Sequence, residues 1–324
     1  MQRAFGDLSY DFLFPKLHGM WADAMVGKPL HDLIYGGREQ ALERYLNATG
    51  IDYHRRAEVQ RSLIAVYLDT MSSVRRLLDP NTAGFYTALI ERYFFENIKT
   101  VLRYHYFPDR DVDIRLLMIE SPHLPLLPVP ELLGAATTHQ LFTLLPRHPV
   151  RKQLLPVLVE LDDSKNFFIA ESRINRLYYA YLLDRTSRLP LAVRRTALEL
   201  VGTDIDINNL ILILRNAHLY GLEADVICDL CIDGGQQITP RHQRRLAAAE
   251  SDEEMLAAMP LPYSRISTPL MGDTDLYVVE NDLWQFVFSK AYKAFRHYRR
   301  PALSVVAFQT LQHFEALNVR RVLR

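Results

Sequence analysis

Cysteine is nearly absent: two in 324 residues, Cys228 and Cys231, in the stretch CDLC. A disulfide framework is therefore excluded, and no second CxxC or His pair follows at a spacing that would complete a four-ligand zinc site. Net charge is absent too. Lys plus Arg and Asp plus Glu number 38 each, so no overall field would hold the chain to nucleic acid or to an acidic membrane. Long hydrophobic runs are lacking. LILIL at 210–214 falls far short of the ~18–20 residues that cross a bilayer, the opening MQRAFGDLSYDF has no signal-peptide core, and no lipidation motif is evident. Strand signals are weak, with no sustained alternation and no Asn-Gly hairpin. Catalytic motifs are missing as well: there is no GxxxxGK, GxGxxG, HExxH or GxSxG. The eleven histidines are scattered, and acid pairs such as Asp162 with Asp163 and Glu253 with Glu254 read as solvated linkers or first helical turns. These absences predict a chain with no catalytic residues, no cofactor and no metal.

Helix is what the sequence has in quantity, and it comes in a repeat. The phrase Asn, apolar, two free positions, apolar, Leu, Arg occurs three times: NIKTVLR at 97–103, NLILILR at 209–215 and NVRRVLR at 318–324. Its Asn positions are 112 and 109 residues apart, and Pro80, Pro190 and Pro301 precede them by 17, 19 and 17 residues. Each proline ends one helix and opens the next. Before each break runs a further striped helix, from Glu58, Glu171 and Glu280; in the second, Ile174, Leu177, Tyr178, Tyr181 and Leu182 recur at i+3 and i+4. Upstream again lie EQALERYLNATGIDY, THQLFTLLPRHPV and DEEMLAAMPLPYSR, each a short helix followed by a break. A unit of ~110 residues is too long for a solenoid repeat and long enough for a core of its own. The expected fold is all-α, with helical domains at 1–110, 111–220 and 221–324.

Within the phrase, the apolar positions form one core-facing stripe and the Arg points away from it. The residues of interest are Asn97, Arg103, Asn209, Arg215, Asn318 and Arg324. One reading gives them a packing stripe and a solvated Arg at a helix C-terminus. The other has them tie neighbouring units together, since Asn has poor propensity inside a helix.

On these residues the chain resembles the C subunit of the V-type and A-type rotary ATPases, the family that includes the d subunit of the eukaryotic enzyme. DIDINNLILILR at 204–215, followed by the link GLEADVICDLCIDGGQQI, carries the likeness best, with ENIKTVLR and EALNVRRVLR as the first and third copies. An acid stands three before Asn in the second and third copies, at Asp206 and Glu315, whereas the first has Phe94 there. The resemblance implies three similar helical bundles in a pseudo-threefold funnel. It also implies a rotor component without nucleotide or ion, at the cytoplasmic face of a membrane. Its partners would be the D and F proteins of the central shaft and the proteolipid ring, and it would carry torque between ATP hydrolysis and transport of protons or sodium.

Two segments are candidate partner contacts. In KAYKAFRHYRR at 290–300, helical spacing predicts one charged face, and Arg296, Arg299 and Arg300 are the residues to test against acidic groups on a shaft, a ring or a lipid headgroup. In SPHLPLLPVP at 121–130, Leu124, Leu126 and Leu127 stand between prolines and are expected to stay partly exposed. A free-standing α-helical adaptor on the same scaffold is the alternative, followed by an enzyme with an unfamiliar site.

Overall fold

Proline and its capping partners set the helix boundaries. The computed structural model describes residues 2–26, 30–31, 56–108, 113–271 and 275–322. At the first break Asp79 accepts from the N–H groups of Asn81 (3.0 Å) and Thr82 (3.1 Å) with Pro80 in the first turn, so the helix opens with two of its orphan donors satisfied. In chain order the helices are α1 (Gln2–Ala22), α2 (Arg56–Arg75), α3 (Pro80–Ile90), α4 (Arg92–Tyr106), α5 (Val129–Leu133), α6 (Thr138–Leu144) and α7 (Arg151–Ser164). There follow α8 (Phe167–Ser187), α9 (Leu191–Arg215), α10 (Ala224–Leu230), α11 (Pro240–Ala247), α12 (Asp252–Ala258), α13 (Tyr263–Ile266), α14 (Leu276–Phe295) and α15 (Ala302–Val322). The described residues contain no β-strand, and the chain is all-α as its patterning predicts. Of the short upstream helices, THQLFTL is α6 and DEEMLAA is α12; EQALERYLNATGIDY lies outside the described residues.

The long helices form three antiparallel pairs at the Pro breaks: α2 with α3, α8 with α9, and α14 with α15. Between pairs, α3 and α4 pack on α8, α9 packs on α14, and α15 packs on α2. The second helix of each pair therefore lies against the first helix of another. Buried apolar side chains fall into two clusters among the described residues. One runs from Leu13 through Phe94 and Leu182 to Phe308, and the other, from Ile207 to Val287, sits under the small helices α10 to α13. Because α8 packs against α3 and α4, and α15 against α2, the 1–110, 111–220 and 221–324 segments all contribute to the first core.

Candidate functional site

Asn97 and Asn209, in the interiors of α4 and α9, are both buried and do the same thing. Asn209 Nδ2 donates to the Ile232 carbonyl at 2.8 Å while the Ile232 N–H donates to Asn209 Oδ1 at 2.7 Å. Asn97 Nδ2 donates to the Ile119 carbonyl at 2.7 Å, and the Ile119 N–H donates back at 2.9 Å. Each amide thus clamps both polar groups of one main-chain residue, 23 and 22 positions downstream, in the link that leaves the helix. An amide is the side chain for this work because it has a donor and an acceptor side by side. The poor helix propensity of Asn is offset by two buried hydrogen bonds.

The acid three positions earlier acts on the same links. Asp206 is fully buried and accepts from the N–H groups of Gln237 (2.8 Å) and Ile238 (2.9 Å) and from the Tyr263 hydroxyl (2.9 Å). Burial pushes its carboxyl above the ordinary value, against the pull of these donors. The link approaches so closely that a Cβ on Gly235 would collide with Asp206 Oδ1, while Gly234 takes a φ of +90°. That explains the Gly234–Gly235 pair. In the first copy Phe94 replaces the acid and packs on the His148 ring, with centroids 5.2 Å apart. In the third copy Glu315 Oε1 accepts from the N–H of Met25 at 2.7 Å, so the last helix grips the segment after α1. Asn318 lines a recess with Val26 and Trp284.

The arginines make ion pairs. Arg103 meets Glu171 at 3.5 Å and lies over the Phe167 ring at 4.6 Å; Arg215 meets Glu280 through two bonds of 2.6 and 2.7 Å. Both join the end of one pair's second helix, or of the helix that continues it, to the start of another pair's first helix, at the heads of α8 and α14. The Glu280 contact holds the Arg215 guanidinium above its ordinary value. Arg324 lies outside the described residues.

At mid-height the pairs meet across a small cavity of about 90 Å³. Tyr67, Tyr178 and Trp284 line it, with Arg92, Asp204, Gln309, Thr310 and His313 among its polar members. Arg92 stands 3.9 Å from Asp204, which accepts from the Tyr179 hydroxyl at 2.6 Å; Tyr93 and His313 Nδ1 share a hydrogen bond of 3.0 Å. Burial would pull the Arg92 guanidinium down, but Tyr179 and Asp204 keep it above its ordinary value. Burial raises the Asp204 carboxyl and, with Arg92 nearby, depresses the His313 imidazole well below its usual 6.5. A depressed imidazole is neutral in the fold, so its contribution to stability is intact above pH 6.5 and is lost as pH falls towards the folded value. The denaturant midpoint should therefore drop between about pH 7 and about pH 5, and His313→Gln should flatten that slope. An unchanged slope in the variant would show that His313 does not carry it.

The candidate contacts separate in the structure. Leu126 is 86% exposed and Leu124 is half-buried, as partial exposure requires, whereas Leu127 turns into the core and departs from the expectation. The reason is the turn at 121–124, which points Leu127 inward just before α5. Helix α14 ends at Phe295, so Arg296 caps it and Arg299 and Arg300 stand in the connecting turn rather than on a helical face. All three are exposed. Chemistry-bearing groups are few. Cys228 and Cys231 are free thiols, burial pushes the second up to about 12, and among the described residues no group of His, Cys, Asp and Glu is placed to hold a metal ion.

The family model of the ATP synthase (C/AC39) subunit matches residues 39–324. The chain belongs to this family. Curated relatives agree. The A-type ATP synthase C subunit of Methanosarcina barkeri is 23% identical over 239 residues, 73% of this chain and 64% of the relative. That of Methanosarcina mazei is 27% identical over 166 residues, 51% and 44% of the two chains, and that of Thermococcus gammatolerans is 23% identical over 232 residues, 70% and 61%. The chain thus spans less than two thirds of the length of these relatives. As a C/AC39 chain it has, among its described residues, no helix long and apolar enough to cross a membrane. Sequence reasoning missed the Glu171 and Glu280 partners, although both stand at the heads of the helices it outlined.

Proposed function

We propose that this C/AC39 chain is a non-catalytic central-stalk component of a V/A-type rotary ATPase. It acts as a socket between the rotating D and F shaft and the proteolipid ring, at the cytoplasmic face of the membrane, and serves transport of protons or sodium. The observation that carries the reading is the closed order of the clamps. The helix bearing each phrase grips a link or reaches the head of another helix pair, and the third returns to the first through Glu315 and Met25 and through α15 on α2. Three similar units, at 1–110, 111–220 and 221–324, would then surround one axis in a pseudo-threefold funnel. Such a ring resists twisting because a displacement of any pair strains the clamps on both sides, and packed helical interiors yield little. Torque transfer needs that stiffness and no active site.

The test is purification from detergent-solubilised membranes. A tagged chain should bring rotary ATPase subunits with it, and Arg296→Glu with Arg299→Glu and Arg300→Glu should reduce that recovery at least several-fold at physiological salt. Recovery of the chain alone, without any other part of the ATPase, would favour the free-standing adaptor.

A further inference from the structure

The three Pro-break turns lie at one end of the molecule. Depth along the helices shows it. The Tyr86 hydroxyl donates to the Val305 carbonyl at 2.5 Å, and these residues follow Pro80 and Pro301 by similar distances. The Tyr181 hydroxyl donates to Glu91 at 2.7 Å and Lys290 Nζ donates to Thr203 Oγ1 at 3.0 Å, which match depth between the first and second turns and between the second and third. The Arg103–Glu171 and Arg215–Glu280 pairs occupy the opposite end.

Each turn is basic and carries an exposed apolar side chain, Leu77 in the first being the least exposed of the three. SVRRLL at 73–78, RTSRLPLAVRR at 185–195 and KAFRHYRR at 293–300 hold ten Arg and Lys and no acid, in a chain whose formal charge is zero. Asp79, next to the first stretch, is engaged as the cap of α3, and Arg188 and Arg195 answer to Asp184 and Glu199 just outside the second. Arg296, Arg299 and Arg300 have no ion pair among the described residues; Arg296 lies over the Tyr292 ring at 5.5 Å and Arg299 over Tyr298 at 5.7 Å. Leu191 is 82% exposed and Tyr298 is 70% exposed.

We infer that this end is a membrane-facing surface that binds anionic lipid headgroups. The three turns lie at one level, and α1 reaches that level beside the first of them, where the Tyr10 hydroxyl donates to Asp79 at 3.2 Å and Asp11 is, among the described residues, the one exposed acid next to it. Unpaired arginines supply attraction to phosphate, and Leu191 and Tyr298 are placed to enter the headgroup layer without needing a pocket in the partner. The opposite end has its phrase arginines neutralised by glutamates, so it offers no comparable match at those positions. The inference rests on the stalk reading only for bringing a membrane near; the charge and the tips are properties of the chain.

The test is co-sedimentation of the full chain with vesicles of phosphatidylcholine alone and of an equimolar mixture with phosphatidylglycerol. The chain should bind the mixed vesicles, ignore the neutral ones, and lose binding as salt rises. Arg296→Glu with Arg299→Glu and Arg300→Glu should weaken binding at least ~10-fold. Leu191→Ala with Tyr298→Ala should weaken it several-fold even at low salt. Arg244→Glu with Arg245→Glu, exposed on α11 beside a recess shared with Asn216, should leave it unchanged. Circular dichroism should show all variants folded, since every altered side chain is exposed. Equal binding to both vesicles, no binding, or an equal loss in the α11 variant would overturn the proposal. So would a chain that ignores vesicles while its charge-reversed form fails to join the ATPase, because acidic protein loops would then occupy this face. The stalk reading is judged separately, by which ATPase components co-purify.

Discussion

Asn209→Ala is expected to destabilise the protein by about 2–5 kcal/mol, read as a lower denaturant midpoint with little change in slope. The substitution removes a buried amide and strands both polar groups of Ile232, which is itself buried. Water cannot easily replace what is lost, and each orphaned group carries its desolvation penalty. Asn97→Ala removes the matching clamp, but its partner Ile119 is only half-buried, so solvent can partly satisfy the freed groups. Its effect should be smaller, about 1–2 kcal/mol. If Asn97→Ala proved the more damaging, the clamp would not be the main contribution of either residue. Asn209→Asp is a sharper probe, since it keeps the acceptor for the Ile232 N–H and loses the donor to the carbonyl while burying a charge.

Much of this arrangement is legible in the sequence because the helices carry it. The Pro breaks at 80, 190 and 301 and the apolar stripes set the three long pairs, and the repeated Asn marks the clamp positions. What the Asn side chains hold is not legible. Ile119 and Ile232 lie in irregular links with no periodic signal, and a main-chain partner leaves no trace in side-chain identity. The Asp206 grip is half visible, since its acid and the Gly234–Gly235 pair both stand out along the chain, yet only close approach in space connects them. The central cluster of Arg92, Asp204 and His313 is invisible, because its members come from three helices far apart in sequence and each looks like an ordinary helix residue. The same holds for Tyr181, which donates to Glu91 at 2.7 Å beside the buried His148. The basic stretch at 290–300 mimics a helical face because its i+3 and i+4 spacing continues past Phe295. The helix stops there with Arg296 as its cap, and the final arginines fall in the turn that leads to Pro301.

A chain ending at Leu317 is expected to lose about 2–4 kcal/mol of stability. The deletion takes away Val319, which is fully buried, and opens the recess that Asn318 shares with Val26 and Trp284. The larger consequence concerns closure. Glu315 holds the Met25 N–H at 2.7 Å, and in the shortened chain it would stand in a frayed last turn, where helix hydrogen bonds open readily. Amide exchange at Met25 should therefore accelerate more than exchange at Ile232, whose clamp from Asn209 is untouched. Equal protection at the two sites in the shortened chain would mean that the third clamp does not close the ring. If the proposed stalk role holds, loss of the Glu315–Met25 junction should lower recovery of the chain with other ATPase subunits even where the remaining helices fold. A shortened chain that assembled as well as the intact one would place the closing contact elsewhere along α15, where Phe308 and Leu311 are the buried side chains to alter next.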